Sequence, residues 1–439
     1  EKERTSPTGP SPGRSGLKPP LLWPALLSGL VLALVTAFSL ATAFSVDSRT
    51  SLWGSYDRQQ GLLTLGAYLV LFTLTVSHLR SRVQVERLWL ALVWGSAPVA
   101  AYGLLQAAGL DPLSWETDAA SGVLSTLGRA NFLGSYLVLV APLTAGRLVL
   151  GRRRWPYALL LAGQVACLAL TQARAAWLGM GAALVVGLLT WAVTGHRRRL
   201  HMAAVALAIL ALVVLACGIV ASLNLAAGPL PPLAGAPWLE RLAALADVNS
   251  GSSAARLTTW RATLPLVGER MVLGYGPETM RPVFARIFPP ELVYYQGRHV
   301  SVDRAHNLWL DTGISAGLAG IVALGALLAA WGWRAWRGRP GHGQGWERAI
   351  WAGVLAAVAG HLVDLQFSID LPASGTVFWL VLAMGAAVWA GRGLPTGKPL
   401  PAHREARALK PGRRSYLAPP ALLVLVLAWL VCARPLLAD

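Results

Sequence analysis

Residues 21–45 read LLWPALLSGLVLALVTAFSLATAFS, a run without a single charged side chain. About 20 apolar residues in a helix cross a hydrocarbon core roughly 30 Å thick, so this stretch predicts a membrane span. A Pro-, Gly- and Ser-rich tail precedes it and no small-residue cleavage site follows, which predicts a retained span rather than a removed signal peptide. Runs of the same kind recur at 61–79, 88–108, 131–150, 155–173, 175–195, 202–222, 306–333, 349–368, 371–391 and 416–433. The expected fold class is therefore all-α, a polytopic transmembrane helical bundle of about eleven spans with one large, partly helical loop.

Composition agrees. Of 439 residues, 55% are hydrophobic and only 13% charged, a balance found in multi-span membrane proteins and not in soluble enzymes. The net charge of +18 would suit nucleic acid only if the positive side chains gathered on a soluble face. Here they punctuate apolar runs, so no nucleic-acid partner is expected. Cys167, Cys217 and Cys432 all lie in apolar stretches, which leaves neither a disulfide framework nor a Cys-rich metal site. The chain opens without Met and stops directly behind an apolar run, so further sequence on either side, including a domain after Asp439, is an open expectation.

Lys and Arg are retained on the cytoplasmic side of spans during insertion. With the amino terminus inside, the basic tail, the clusters at 152–154 and 197–199 and the basic stretch 392–415 all fall inside, while most acidic residues fall outside. This predicts a disordered cytoplasmic tail 1–20, spans one to seven within 21–223, an extracytoplasmic loop domain over 224–305 and spans eight to ten within 306–391. A basic cytoplasmic loop 392–415 and a last span within 416–439 follow, leaving the carboxyl terminus outside. The basic clusters are read as topology determinants that meet anionic membrane lipid. Trp23, Trp53, Trp89, Trp155, Trp191, Trp331, Trp336 and Trp346, near predicted boundaries, are read as interfacial anchors.

A loop of this length is either functional or disordered, and its apolar and aromatic content argues for order. Leu257, Trp260 and Leu264 repeat at helical spacing, predicting a short amphipathic helix on the outer leaflet that Pro265 ends or kinks. The segment Leu273 to Glu278 then turns the chain, with glycines on both sides of Tyr275 allowing close backbone approach. At the mouth of span eight stands Val302-Asp303-Arg304-Ala305-His306-Asn307-Leu308-Trp309-Leu310-Asp311. A helix starting near Asp303 would put a carboxylate, an imidazole and an amide on one face, able to do proton chemistry. The plainer alternative makes Asp303 an N-cap and His306 a headgroup-zone polar residue. Arg174, in an outer hairpin with almost no loop, is a functional candidate or a snorkelling anchor. Arg129 is a similar case, and His361, Asp364 and Asp370 read as a solvated outer cluster.

Together these pieces resemble the O-antigen ligase and O-antigen polymerase family of membrane glycosyltransferases, over roughly residues 120–390. The resemblance is carried by Arg174 with small residues and Trp to Gly179, by Arg256 with Trp260, by the Gly-Tyr-Gly-Pro turn at 274–277, and by His306-Asn307 with Leu310, Gly317 and Gly320. It implies transfer of a glycan from a polyprenyl pyrophosphate carrier to a glycan, lipid or protein acceptor outside a bacterial inner membrane. It also implies that His306, Arg174 and Arg256 are the essential residues.

The residues suit that chemistry. A leaving diphosphate develops negative charge that must be stabilised. The outer loops carry no Asp-x-Asp pair or His cluster for a metal, so the expectation is no metal and no cofactor. Arginine binds phosphate in bidentate fashion, which points to Arg174 and Arg256 with Arg261 assisting and Arg129 and Tyr275 as further substrate-binding candidates. His306 would accept the acceptor's proton, with Asp303 or Asn307 fixing the ring. Ligase and polymerase remain alternatives, since both need this donor chemistry. A transporter is the rival from another class, although transport sites usually lie near the midplane. A structural anchor for a missing domain is the third reading.

Overall fold

The computed structural model describes residues 22–113, 123–150, 153–194, 251–298, 300–341 and 345–390. The expected spans at 202–222 and 416–433, the tail 1–20, the stretch 392–415 and the first part of the loop lie outside the described residues. Among the described residues the chain is wholly helical. The elements are α1 (Leu22–Ala43), α2 (Ser48–Trp53), α3 (Leu62–His78), α4 (Arg82–Ala107), α5 (Ala130–Leu150), α6 (Trp155–Thr171) and α7 (Arg174–Val193). After these come α8 (Gly251–Glu269), α9 (Met280–Phe284), α10 (Glu291–Gln296), α11 (Leu308–Arg337), α12 (Gly345–Asp364) and α13 (Pro372–Val388). Five of them, α1, α4, α5, α7 and α11, are long and apolar enough to cross a membrane, and α3, α6 and α13 are shorter apolar helices.

The bundle is knit by α12, which packs most extensively on α7 and then on α5; α1 lies along α11 and α3 along α13. Glycines set the tightest crossing. A Cβ on Gly179 of α7 would come within 2.7 Å of the Gly360 carbonyl and 3.0 Å of the Asp364 Cβ. Small residues let helix backbones approach where lipid offers no hydrophobic drive. As a result the second turn of α7, just after Arg174, lies against the last turns of α12. The tryptophans divide. Trp53, Trp155 and Trp336 are exposed, as anchors would be, but Trp23, Trp89, Trp331 and Trp346 are buried in the bundle core. Trp89 and Trp331 donate their indole N–H to the carbonyls of Leu143 and Leu382, the partner a buried indole requires.

The segment from α8 to the start of α11 has a core of its own, in which Ala255 and Leu266 of α8 meet Tyr275, Phe284, Leu292 and Ile314. Helix α8 differs from the amphipathic reading. It continues through Pro265 to Glu269, and its buried positions include Ala255, Thr259, Thr263 and Leu266 while Leu264 points outward. Its inner face is chosen by packing on α10 and α11, not by lipid.

The Gly-Tyr-Gly-Pro turn is built into the bundle. Helix α11 breaks at Gly317 (φ 61°), and the freed backbone groups are taken up by the loop. Tyr275 and Gly276 N–H donate to the carbonyls of Ile314 and Ser315, and Leu318 and Ala319 N–H donate to Met271 and Val272. A broken span is tolerated where other backbone satisfies it. Gly274 and Gly276 have positive φ, and a Cβ on Gly276 would meet the Ser45 hydroxyl at 2.2 Å, so only glycine fits there. Ser45 and Ser51 hydroxyls donate to the Tyr275 and Pro277 carbonyls, tying the turn to the carboxyl end of α1 and to α2.

Candidate functional site

The segment 303–307 is non-helical and leads into α11. The helix begins later than the spacing suggests, at Leu308. Its N-cap is Asn307, whose Oδ1 accepts from the N–H groups of Trp309 and Leu310 at 3.1 and 3.2 Å. Neither Asp303 as cap nor a single helical face over 303–311 is found. The peptide before His306 is pinned on both sides. Ala305 N–H donates to Asp311 at 2.7 Å, and its carbonyl accepts from the Trp260 indole at 2.7 Å. His306 itself has φ 54°, a left-handed conformation that bulky residues adopt only when their surroundings impose it.

Trp260 thereby fixes α8 against this segment, and Arg256, one turn earlier on the same face, lies beside His306. Burial first, and then the Arg256, Arg58 and Arg304 guanidiniums, push the His306 imidazole down to about 4, with Asp303 opposing. Burial likewise lowers Arg256; Arg174 acts in the same direction, and Asp364 resists. Arg256 of α8 thus lies within the electrostatic reach of Arg174 from α7 and of His306 at the mouth of α11.

Two further arginines act on His306, and neither was singled out by the sequence. Arg58, just after α2, donates through Nε to Asp303 at 2.8 Å. Its guanidinium lies 5.9 Å from the centre of the Phe132 ring, and Arg129 stands at the same distance from that ring. Arg304 is largely buried and pairs with Glu278, whose other oxygen accepts from Ser55. Arg58 reads as an ordinary loop charge because its carboxylate partner Asp303 lies more than two hundred positions along the chain. Arg304 stands in the quoted motif, and its neighbourhood to His306 was the only available signal.

Arg304 lines a cavity of ≈ 150 Å³ together with the polar side chains of Gln60, Thr64, Tyr68, Asp311 and Asp370 and a larger number of apolar ones. Burial pushes the Asp370 carboxyl up to about 6 against its bonds to Ser374 and the Leu371 N–H. His361 and Asp364, expected to be solvated, are fully buried, because α12 is enclosed by α5 and α7.

The other expected site residues fall as follows. Asp303 is engaged by Arg58 and reaches His306 only through its charge, while Asn307 serves the helix start. Arg129 is exposed at the edge of the cluster. Arg261 is exposed, five residues beyond Arg256 and so turned off its face. Tyr275 is buried and donates its hydroxyl to Glu269 at 2.7 Å, so the motif's contribution lies in its backbone. Among the described residues no group of three or more His, Cys, Asp or Glu is arranged to hold a metal ion.

No curated protein matches the chain. Residues 156–325 match the family model described as O-Antigen ligase. The matched segment runs from α6 into α11 and contains Arg174, Arg256 and His306, and the apolar helices around it are those of a multi-pass membrane protein. The segment that carries the cluster is thus similar to the O-antigen ligase family.

Proposed function

We propose that the chain moves a glycan from a polyprenyl pyrophosphate carrier to an acceptor hydroxyl on the extracytoplasmic face of a bacterial inner membrane, without a metal ion. The observation that carries this reading is the convergence of Arg174, Arg256 and His306 from three separate elements. Arg174 and Arg256, with Arg58 and Arg304 behind them, would receive the diphosphate, since guanidinium keeps its charge near lipid and binds phosphate by two parallel bonds. The bond from the anomeric carbon to the phosphate oxygen breaks, and the diphosphate leaves with the electron pair. The acceptor oxygen forms the new bond, and its proton passes to His306. One displacement with one base gives inversion at the anomeric carbon.

A bound diphosphate would also offset the positive field that depresses His306 and so raise its basicity as the acceptor arrives. The substitution His306→Asn tests the scheme, because Asn tolerates left-handed backbone but offers no comparable base. In proteoliposomes supplied with lipid-linked glycan, transfer by this variant should fall about a hundredfold or more. Transfer at the original rate would remove the base assignment, and strict dependence on a divalent cation would remove the arginine model. A polymerase uses the same donor half-reaction. Surface glycans of a deletion strain distinguish the two: unattached long chains mark a ligase, single repeat units a polymerase.

A further inference from the structure

The cavity lined by Arg304 has no part in the proposed reaction, yet its wall is continuous with the residues around His306. Gln60 follows Arg58 by two residues, Arg304 precedes His306 by two, and Asp311 accepts from the Ala305 N–H at 2.7 Å. Two residues of this wall carry buried polar atoms with no hydrogen-bond partner among the described residues, the Tyr68 hydroxyl and Gln60 Nε2. Tyr68 as a whole is only 8% exposed. A Cβ on Gly375 would stand 2.9 Å from the Tyr68 hydroxyl and 2.8 Å from Asp370 Oδ2, so both oxygens border the space that this glycine leaves. Asp370 takes its hydrogen bonds from the Leu371 N–H and the Ser374 hydroxyl at Oδ1, which leaves Oδ2 able to accept another.

Buried polar atoms without partners are costly and call for an explanation. Gln60 Nε2 can only donate, Asp370 Oδ2 accepts, and a phenol does either. A ligand that answers all three must itself both donate and accept, as a set of hydroxyls does. Charge narrows the choice further. Arg304 is already paired with Glu278, so the carboxylates of Asp311 and Asp370 leave the polar wall short of positive charge and hostile to an anion. A cation would set the Gln60 N–H groups against like charge. The rest of the wall is apolar and includes Phe38, Phe378 and Trp379, the aromatic lining with a few placed polar groups that small-molecule sites share. A volume of ≈ 150 Å³ has room for about ten waters, or for one sugar ring in their place.

We infer that this cavity is a subsite for one uncharged sugar ring, held through its hydroxyls by Tyr68, Gln60 and Asp370, and that it rejects acidic sugars. Whether the ring belongs to the acceptor or to the donor's glycan is a question that rests on the transfer reading above; binding of the ring does not.

The full chain in detergent micelles tests this by saturation-transfer difference NMR with a panel of neutral methyl hexopyranosides and with methyl glucuronoside. A neutral glycoside should give a signal, and the glucuronoside should bind about tenfold more weakly or not at all. Tyr68→Phe and Gln60→Leu should each weaken the neutral glycoside about threefold to tenfold. Thermal stability should hold or rise in both, because each substitution removes an unpaired buried polar atom. Absence of a signal from every neutral glycoside, equal binding of the glucuronoside, or undiminished affinity in both variants would overturn the inference.

In proteoliposomes, a raised KM for the acceptor alone in Tyr68→Phe assigns the ring to the acceptor, and a raised KM for the donor alone assigns it to the donor. Glycoside binding that depends on Tyr68 in a chain without transfer activity would sink the proposed reaction and leave the subsite standing.

Discussion

His306 combines a left-handed backbone with an imidazole held near 4. The sign of its pH dependence follows. As a proton acceptor it must be neutral, so transfer should be lost as pH falls through about 4 and be flat across neutral pH. Arg58→Gln removes one of the charges that depress the ring, and the acid limb of the rate profile should move upward toward the ordinary value of 6.5. An unmoved limb would mean that some other group titrates. The three residues named from the resemblance are brought together, but their supports were not legible beforehand. Arg58 meets Asp303 across a separation of more than two hundred residues. Spacing along a single element carries no trace of such a pair.

At the level of elements, the turn at 274–278 shows where motif reading stops. The glycines on either side of Tyr275 did announce close backbone approach. What the sequence could not reveal was the object approached, the gap in α11 at Gly317. Substituting Ala for Gly276 drives a Cβ into Ser45 and Ser51 at a φ of +106°, a strain of about 2 kcal/mol before any clash is counted. Limited proteolysis of membranes should then cut the loop between 270 and 300 in Gly276→Ala and spare it in the parent. The start of α11 was anticipated a few residues early for a related reason: Asn307 caps more effectively than Asp303 because its carbonyl oxygen meets two N–H groups at once.

For the whole molecule, each described apolar helix coincides with an apolar run in the sequence, because lipid demands continuous hydrophobic stretches. The Trp anchors were less legible, since an indole at a span end can turn outward to headgroups or inward to a carbonyl, and composition does not distinguish the two. Orientation is open to measurement. Single cysteines at positions 58, 261 and 281 should react with an impermeant thiol reagent added outside, and cysteines at 82 and 337 only after permeabilisation; the reverse pattern would invert the proposed topology. The two halves of α11 are stapled through the loop's peptide groups as well as through their own ladder. A tether pulling the loop away from the bilayer should therefore unzip that span at Gly317 before any other helix yields, giving a force trace whose first rupture belongs to the staple.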